Sequence, residues 1–332
     1  MPPLLEIKNL ITVFDTTRGR IKAVDGVSLS VNTGETLGIV GESGCGKTML
    51  ALSIMGLIPQ NGSIINGEIT FLGNDLLKMS ANEIRAKRGN EMAMIFQEPM
   101  TSLNPVFRVG EQIAEVIKLH QNLSAKDAFA LSIKKLQEVG IPQPERRAQD
   151  YPHQLSGGMR QRVMIAMAMS CHPQLLLADE PTTALDVTIQ AQILDLISML
   201  KEKNNMAVIL ITHDLGIIAQ AAEKVAVMYA GKIVESSNVE ETFADPLHPY
   251  TRGLIDSLPV GCTGGNEDRD KYLKTIPGSV PSLYDLKPGC RFLERCPYAD
   301  NKCAGREPIL EEFGPGHWAA CWNVRNIQKE KH

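Results

Sequence analysis

The stretch that most constrains this chain is a glycine-rich segment at residues 41–48, which reads GESGCGKT. It matches GxxxxGK[ST], a pattern in which backbone N–H groups curl around phosphate oxygens and glycines avoid the clash of a Cβ. Residues 36–40 before it have the pattern of a short buried strand, and residues 48–55 continue as an apolar helix. Since the first turn of such a helix offers amides to an anion, we expect an α/β fold with ATP at this loop. The predicted ATP-binding residues here are Gly41, Ser43, Gly44, Cys45, Gly46, Lys47 and Thr48.

A second apolar run, at residues 175–178, ends in Asp179 and Glu180. A strand buried in a parallel sheet delivers such carboxylates at its carboxyl end, beside a phosphate loop. We expect Asp179 to hold Mg²⁺ through water, together with the Thr48 hydroxyl, and Lys47 to reach the β- and γ-phosphates. Glu180 is then the predicted general base that orients and deprotonates the attacking water.

A third string, LSGGM at residues 155–159, resembles the signature motif of ABC ATPases, and companion motifs follow in the order of that family. Gln97 lies in a segment similar to the Q-loop, and His213 in one similar to the H-loop. Asp186 matches the D-loop and is predicted at the ATP site. Phe14 lies where the family places an aromatic ring that stacks on adenine.

This resemblance implies an α/β ABC-type P-loop NTPase with an antiparallel β subdomain, a helical subdomain and a small cysteine-rich C-terminal extension. Helical periodicity at residues 109–118 and 125–139 agrees with the helical subdomain. The expected domains are a nucleotide-binding domain at 1–240, containing a helical subdomain at about 101–160, and an extension at 241–332.

The signature motif also predicts a second anion site. Ser156 and the amides of Gly157 and Gly158 begin an apolar helix, and such a terminus attracts phosphate. One phosphate loop cannot bring both anion sites of its own chain to a single γ-phosphate, so a partner cassette in a head-to-tail dimer is expected. The family implies that His213 donates to the γ-phosphate and that Gln97 ligates Mg²⁺ and senses the γ-phosphate.

Longer strings narrow the resemblance to the ATPases of dipeptide and oligopeptide importers. The segment His248-Pro249-Tyr250 resembles the start of their C-terminal extension, and residues 94–105 and 151–159 are similar to their Q-loop and signature regions. The expected partners are a paralogous ABC ATPase subunit in a heterodimer, two membrane permease subunits and, indirectly, an extracytoplasmic solute-binding protein. Two alternatives stay open: import of nickel or antimicrobial peptides, and a soluble ABC ATPase that acts on nucleic acid or ribosomes.

The tail contains four of the seven cysteines, at unequal spacing: Cys290, Cys296, Cys303 and Cys321. In a cytoplasmic protein a disulfide framework is not expected, so thiolates in this loop-rich stretch favour a metal centre. The spacing departs from the CxxC pairs of structural zinc. Related importer ATPases carry a 4Fe–4S cluster at such a quartet, which implies a cluster here. Zn²⁺, with His317 as a competing ligand, and cysteines without metal remain alternatives.

Composition limits the partners and the location. The net charge is −4 and aromatic residues make up 5% of the chain, with no basic stripe, so nucleic-acid binding is not expected. No run of eighteen apolar residues occurs, and the start lacks a signal-peptide pattern. Together with the resemblance, this predicts a peripheral protein on the cytoplasmic face of the inner membrane.

Overall fold

The computed structural model describes residues 2–98, 102–183, 185–258 and 275–329. Thr101, the first residue of the predicted helical subdomain, lies outside them. The strands are β1 Leu5–Thr16, β2 Gly19–Val31, β3 Thr36–Val40, β4 Gly62–Phe71, β5 Asn74–Asp75, β6 Met92–Ile95, β7 Leu175–Asp179, β8 Ala207–Thr212, β9 Lys224–Tyr229, β10 Lys232–Asn238, β11 Glu311–Gly314 and β12 His317–Ala319. The α-helices are Lys47–Met55, Ala81–Lys87, Val109–Gln121, Ala125–Glu138, Pro144–Arg147, Gly157–Ala168, Val187–Asn204, Leu215–Ala221, Val239–Ala244, Pro249–Asp256, Asn301–Gly305 and Val324–Lys329.

The chain forms two compact units. The first contains the segments up to Leu4, Val31–Glu35 and Leu72–Ile211. The second contains Leu5–Ser30, Thr36–Phe71 and the chain from Thr212 onward. The phosphate loop therefore lies in the second unit, whereas Asp179, Glu180 and the signature motif lie in the first.

The core of the first unit is a parallel arrangement of β6, β7 and β8. Met92 pairs with Leu175, and Leu175 pairs with Ala207 on its other side. Every residue of these three strands is buried, as expected for strands that are covered on both faces, and all are apolar except the last residues of β7 and β8, Asp179 and Thr212. Strand β7 ends at Asp179, so the predicted carboxylates follow a buried strand as the sequence indicates.

Helices make up most of the remaining first unit. The predicted helical patterns are confirmed at Val109–Gln121 and Ala125–Glu138. Each buries one face, which is mainly apolar but also contains Gln112 in the first helix and Ser132 and Lys135 in the second. The helix Gly157–Ala168 follows the signature serine directly.

The second unit combines an antiparallel sheet with a parallel pair. Strand β1 pairs antiparallel with β4, from Leu5 opposite Phe71 onward. Strand β3 lies parallel to β9, and β10 continues antiparallel from β9. The chain's C-terminal part extends this arrangement, because β12 pairs antiparallel with β10, with Ala319 opposite Glu235.

The C-terminal segment, described here at residues 241–258 and 275–329, joins the rest of the second unit through the pairing of β12 with β10 and has a small buried cluster of its own. Leu247, Ala319 and Val324 form a buried apolar cluster, and Cys321 packs against it. Within the described ranges, no helix is long and apolar enough to cross a membrane.

Candidate functional site

The phosphate loop begins where β3 ends and leads into the helix Lys47–Met55. A Cβ on Gly41 would lie 2.1 Å from the carbonyl oxygen of Met228, and a Cβ on Gly46 would lie 2.2 Å from that of Ala23. Gly46 also has a φ of +105°, in the region that favours glycine. Backbone packing therefore requires glycine at both positions. Gly46 precedes the helix without a side-chain cap, which leaves the first turn open to an anion.

The side chain of Lys47, the predicted phosphate-binding lysine, contacts the backbone of its own loop. Lys47 is 5% exposed, and its Nζ donates to the carbonyl oxygens of Gly41 at 2.7 Å and Glu42 at 3.2 Å. Cys45 is fully buried, and burial raises the pKa of its thiol. Ser43 and Gly44 are exposed, and Thr48 is half-buried.

Two further predicted residues lie in the same unit. Phe14, on β1, is buried, and its ring lies against Gly62, where an added Cβ would come within 2.6 Å of the ring. His213 is exposed and follows β8 directly. The next residue, Asp214, caps the helix Leu215–Ala221 by accepting the Gly216 N–H at 2.7 Å, which sets the direction of the chain after His213.

In the first unit, the structure brings Glu180 and Gln97 together. Gln97 Nε2 donates to Glu180 Oε2 at 3.0 Å, and Thr183 Oγ1 donates to the same oxygen at 2.8 Å. Glu180 has a φ of +46° and its N–H donates to Ile211 O at 2.9 Å. A left-handed backbone at a residue with a side chain is costly and concentrates at functional sites. Two side-chain hydrogen bonds therefore hold the carboxylate, and a backbone hydrogen bond to Ile211 fixes the residue that carries it.

The other predicted residues of this unit lie at strand and helix ends. Asp179 is 1% exposed and ends β7. Ser156 caps the helix Gly157–Ala168 by accepting the Met159 N–H at 3.3 Å. Asp186 caps the helix Val187–Asn204 in the same way. These two helices meet at the glycines, because a Cβ on Gly157 would contact Leu185 at 3.6 Å and one on Gly158 would approach Ile189 at 3.0 Å.

The four tail cysteines come near one another without forming a ligand set. All four are free, and the Cys290 N–H donates to Cys303 O at 2.8 Å. Burial raises the pKa of Cys296 to about 11 and that of Cys321 to about 12, with neighbouring cysteines adding to both shifts. Within the part of the chain that the structure describes, no group of three or more His, Cys, Asp or Glu side chains could hold a metal ion. The residues thus do not fit a 4Fe–4S cluster or Zn²⁺ as they stand.

The alternative zinc ligand is engaged elsewhere. His317 Nε2 lies 2.8 Å from Oε1 of the buried Glu235, whose carboxylate also accepts the N–H groups of Leu247 and His248. This carboxylate ties β12 to the chain that follows β10.

Sequence reasoning missed four residues at these sites. Thr183 binds Glu180, and Glu42 of the phosphate loop contacts both Tyr250 and Arg295 of the C-terminal segment. Tyr250 belongs to a string that the sequence singled out, but nothing local assigned it a contact. Arg295, one of two arginines between Cys290 and Cys296, belongs to no motif that would have indicated this contact.

Two family models match the chain. The one described as "ABC transporter" matches residues 24–183, and the one described as "Oligopeptide/dipeptide transporter, C-terminal region" matches residues 234–303.

Two relatives are similar over nearly the whole length. The probable peptide ABC transporter ATP-binding protein y4tR of Sinorhizobium fredii is 51% identical, covering 98% of this chain and 96% of the relative. The oligopeptide transport ATP-binding protein AppD of Bacillus subtilis is 50% identical, covering 97% of each.

Among solved structures, the dimeric post-hydrolysis state of the ATP-binding cassette MJ0796, bound to ADP and Pi, is similar. It is 25% identical with a TM-score of 0.64, and it covers 71% of this chain and 98% of that one. The ABC ATPase cassette fold, with its α/β character and antiparallel sheet, is thereby confirmed.

The predicted set of partners is corrected by these comparisons. A paralogous second cassette, permease subunits and a solute-binding protein were expected. The comparisons show no pair of different cassettes: the relatives are named singly, and the similar solved cassette is described as dimeric under one name. The heterodimer prediction is therefore wrong. It rested on resemblance alone, since no residue of this chain distinguishes a paralogue from a second copy.

Proposed function

The chain belongs to the ATP-binding subunits of oligopeptide and dipeptide ABC importers, and we propose that the residues described above are the ones that bind and hydrolyse its ATP. It is an ABC ATPase of a peptide import system. The observation that carries the residue assignment is the Glu180 carboxylate, held by Gln97 and Thr183 at the end of a buried strand.

Binding is assigned to the phosphate loop. The amides around Ser43, Gly44, Cys45 and Gly46 and the first turn of the following helix bind phosphate oxygens, and Lys47 leaves the loop carbonyls to contact the β- and γ-phosphates. Phe14 contacts the adenine. Ser156, Gly157, Gly158 and Asp186 form the second set of ATP-binding residues.

The magnesium ligands proposed are the Thr48 hydroxyl, the Asp179 carboxylate and the Gln97 amide. This donor set fits Mg²⁺, which prefers oxygen and is commonly held by one or two carboxylates together with substrate phosphates. When bound, Mg²⁺ neutralises the charge that develops on the phosphates.

Glu180 is the proposed general base. Its carboxylate accepts a proton from the attacking water, and Gln97 and Thr183 fix its orientation in advance. His213 donates a hydrogen bond to the γ-phosphate. Phosphoryl transfer depends mainly on positioning and charge stabilisation, which these fixed groups supply.

The finer organisation is also a proposal: a nucleotide-binding domain at 1–240, a helical subdomain at about 101–160, and an extension with clustered cysteines at 241–332. The proposed location is the cytoplasmic face of the inner membrane. A relative named as a peptide transporter ATP-binding protein aligns with nearly the whole chain, and the peptide-transporter C-terminal region matches its end. Both findings support the proposed organisation and location.

The cysteine cluster remains a cofactor hypothesis. The mutual proximity of the cysteines supports a 4Fe–4S cluster or Zn²⁺, whereas the absence of a ligand group among the described residues opposes both. Anaerobic purification with metal analysis and a visible spectrum decides between them. Several irons per chain with broad visible absorption indicate a cluster, one zinc in a colourless protein indicates zinc, and neither metal removes the hypothesis.

The function is tested with Lys47→Ala in a strain that lacks this chain. We expect the wild-type chain to restore uptake of a labelled tripeptide and Lys47→Ala to fail, although it accumulates to the same level. Nickel uptake is measured beside it. Restored nickel uptake without peptide uptake, or peptide uptake by Lys47→Ala, would contradict the proposal.

A further inference from the structure

We infer that Arg295 and Tyr250 of the C-terminal segment are positioning residues for the phosphate loop: they clamp Glu42, and through it they fix the loop that receives nucleotide. The inference rests on the proposed function of that loop. It assigns to the C-terminal segment an indirect part in nucleotide binding, through Glu42, which none of the motifs indicates.

The first contact is a bidentate ion pair between Arg295 and Glu42. Arg295 Nη1 lies 2.8 Å from Glu42 Oε1, and Nη2 lies 3.3 Å from Oε2. Guanidinium and carboxylate match in this fork geometry, which fixes orientation as well as distance. The Arg295 side chain is 5% exposed and that of Glu42 is 32% exposed. The pair is therefore anchored at its arginine end in the protein interior.

The guanidinium itself is held in place. Its Nε donates to Pro277 O at 2.8 Å, and its Cζ lies 5.8 Å from the ring centroids of both Tyr229 and Phe292. A buried guanidinium needs a carboxylate partner, and moving it away from Glu42 would leave its charge uncompensated. Arg295 is thus a fixed point against which the loop is set.

The second contact acts on the backbone of the same loop residue. Tyr250 Oη accepts the N–H of Glu42 at 2.8 Å. Tyr250 is fully buried, its ring lies 4.6 Å from that of Tyr229, and burial raises the pKa of its hydroxyl, which stays protonated. The amide of Glu42 is therefore occupied by the C-terminal segment.

The third polar group of Glu42, its backbone carbonyl, contacts Lys47, the proposed phosphate-binding lysine. Its carbonyl oxygen accepts from Lys47 Nζ at 3.2 Å and from the Cys45 N–H at 3.3 Å. Tyr250, Arg295 and Lys47 together engage the amide, the carboxylate and the carbonyl of one residue. Releasing Glu42 would let the loop sample more conformations, and nucleotide binding would then have to restore the order.

The test measures ADP·Mg²⁺ binding to the full chain by calorimetry, which avoids turnover. Arg295→Ala should weaken binding about tenfold, and Arg295→Lys, which keeps the charge but not the fork, about threefold. The matched control is Lys287→Ala, because Lys287 makes an ion pair with Glu294 in the same segment at the surface, 2.6 Å apart. It should bind ADP as the wild type does.

A double-mutant cycle tests whether Arg295 affects nucleotide binding through Glu42. In a Glu42→Ala background, Arg295→Ala should cause less than about a twofold further loss, because its partner is gone. A full tenfold loss in both backgrounds, or wild-type affinity in a folded Arg295→Ala chain, overturns the inference. If Arg295→Ala does not fold, Tyr250→Phe keeps the ring and removes the acceptor, and unchanged affinity there overturns it too. Equal ADP binding by the wild type and Lys47→Ala would instead contradict the proposed function of the loop.

Discussion

The phosphate loop and the loop that carries Glu180 are held in different ways. In the phosphate loop, two glycines lie against backbone carbonyls, Lys47 is 5% exposed, and distant residues clamp Glu42. The Glu180 carboxylate is held by hydrogen bonds from two side chains, and one of these, Gln97, is exposed. The first loop depends on packing that a Cβ would disrupt. The second depends on a few polar contacts that can be changed one at a time with little effect on the fold.

The largest effect is expected at the second loop. Glu180→Gln preserves the shape and the acceptor for Gln97 but removes the base, so kcat for ATP hydrolysis should fall by about 10²- to 10⁴-fold. ADP binding should stay within about twofold of the wild type, because no proposed nucleotide ligand changes. The exposed Glu115→Gln serves as the control. A wild-type rate in Glu180→Gln would remove the assignment of the base.

Two glycine-to-alanine substitutions test the packing of the phosphate loop. Gly46→Ala combines a φ of +105° with a Cβ 2.2 Å from Ala23 O, so it should lower the free energy of unfolding by about 3 kcal/mol and abolish ADP binding. Gly44→Ala shares a positive φ but has open space around its Cβ, and should cost about 1 kcal/mol. Chemical denaturation measures both. Equal losses would show that backbone strain, and not close packing, makes glycine necessary.

The attachment of the C-terminal segment should depend on pH. Burial raises the pKa of Asp25, but the hydrogen bond and charge of Arg291, together with the Lys22 hydrogen bond and the Lys232 charge, lower it by more, leaving it below its ordinary value. This pair therefore stabilises the fold above the unfolded pKa of about 4, and the stabilisation is lost as pH falls through the folded pKa. Asp25→Asn should cost about 2 kcal/mol at pH 7. The difference between wild type and variant should shrink below about pH 4, and a difference independent of pH would contradict the mechanism.

Smaller effects are expected where one hydrogen bond is removed beside Glu180. Thr183→Val loses the 2.8 Å bond to the carboxylate and should lower kcat about three- to tenfold, while Thr183→Ser keeps the hydroxyl and should retain most activity. Steady-state ATPase assays at saturating ATP measure this. Equal rates for the two variants would contradict a role for the hydroxyl, and a slower rate in Thr183→Ser than in Thr183→Val would point to the methyl group instead.

The smallest effect concerns the signature serine, where structure and function can be separated. Ser156 and Ser124 both cap helices, accepting an N–H at 3.3 Å and 3.2 Å respectively. Each serine-to-alanine change should lower the free energy of unfolding by about 1 kcal/mol. Only Ser156→Ala should also reduce ATPase activity. If both variants keep full activity, Ser156 is a helix cap alone.

Much of the fold follows from local patterns. The strand before the phosphate loop, the buried strand that ends at Asp179 and the helix after Ser156 lie where the sequence predicts them. Apolar runs and helical periodicity are patterns of a few neighbouring residues, so they can be recognised without knowing the tertiary arrangement. Thr183 was missed because a threonine three residues after a glutamate has no pattern of its own. The cysteine quartet predicts a metal centre, but spacing alone does not specify the directions of the thiols.

By itself, the sequence determined the phosphate loop, the buried strands and the signature helix, because glycine conformation and apolar periodicity are local properties. Tertiary structure alone decided which side chains hold the loop. Tyr250 and Arg295 contact Glu42 across 208 and 253 residues of chain. Such contacts depend on how β9, β10 and the C-terminal segment pack, and on the need of a buried guanidinium for a carboxylate that only the folded chain brings within reach.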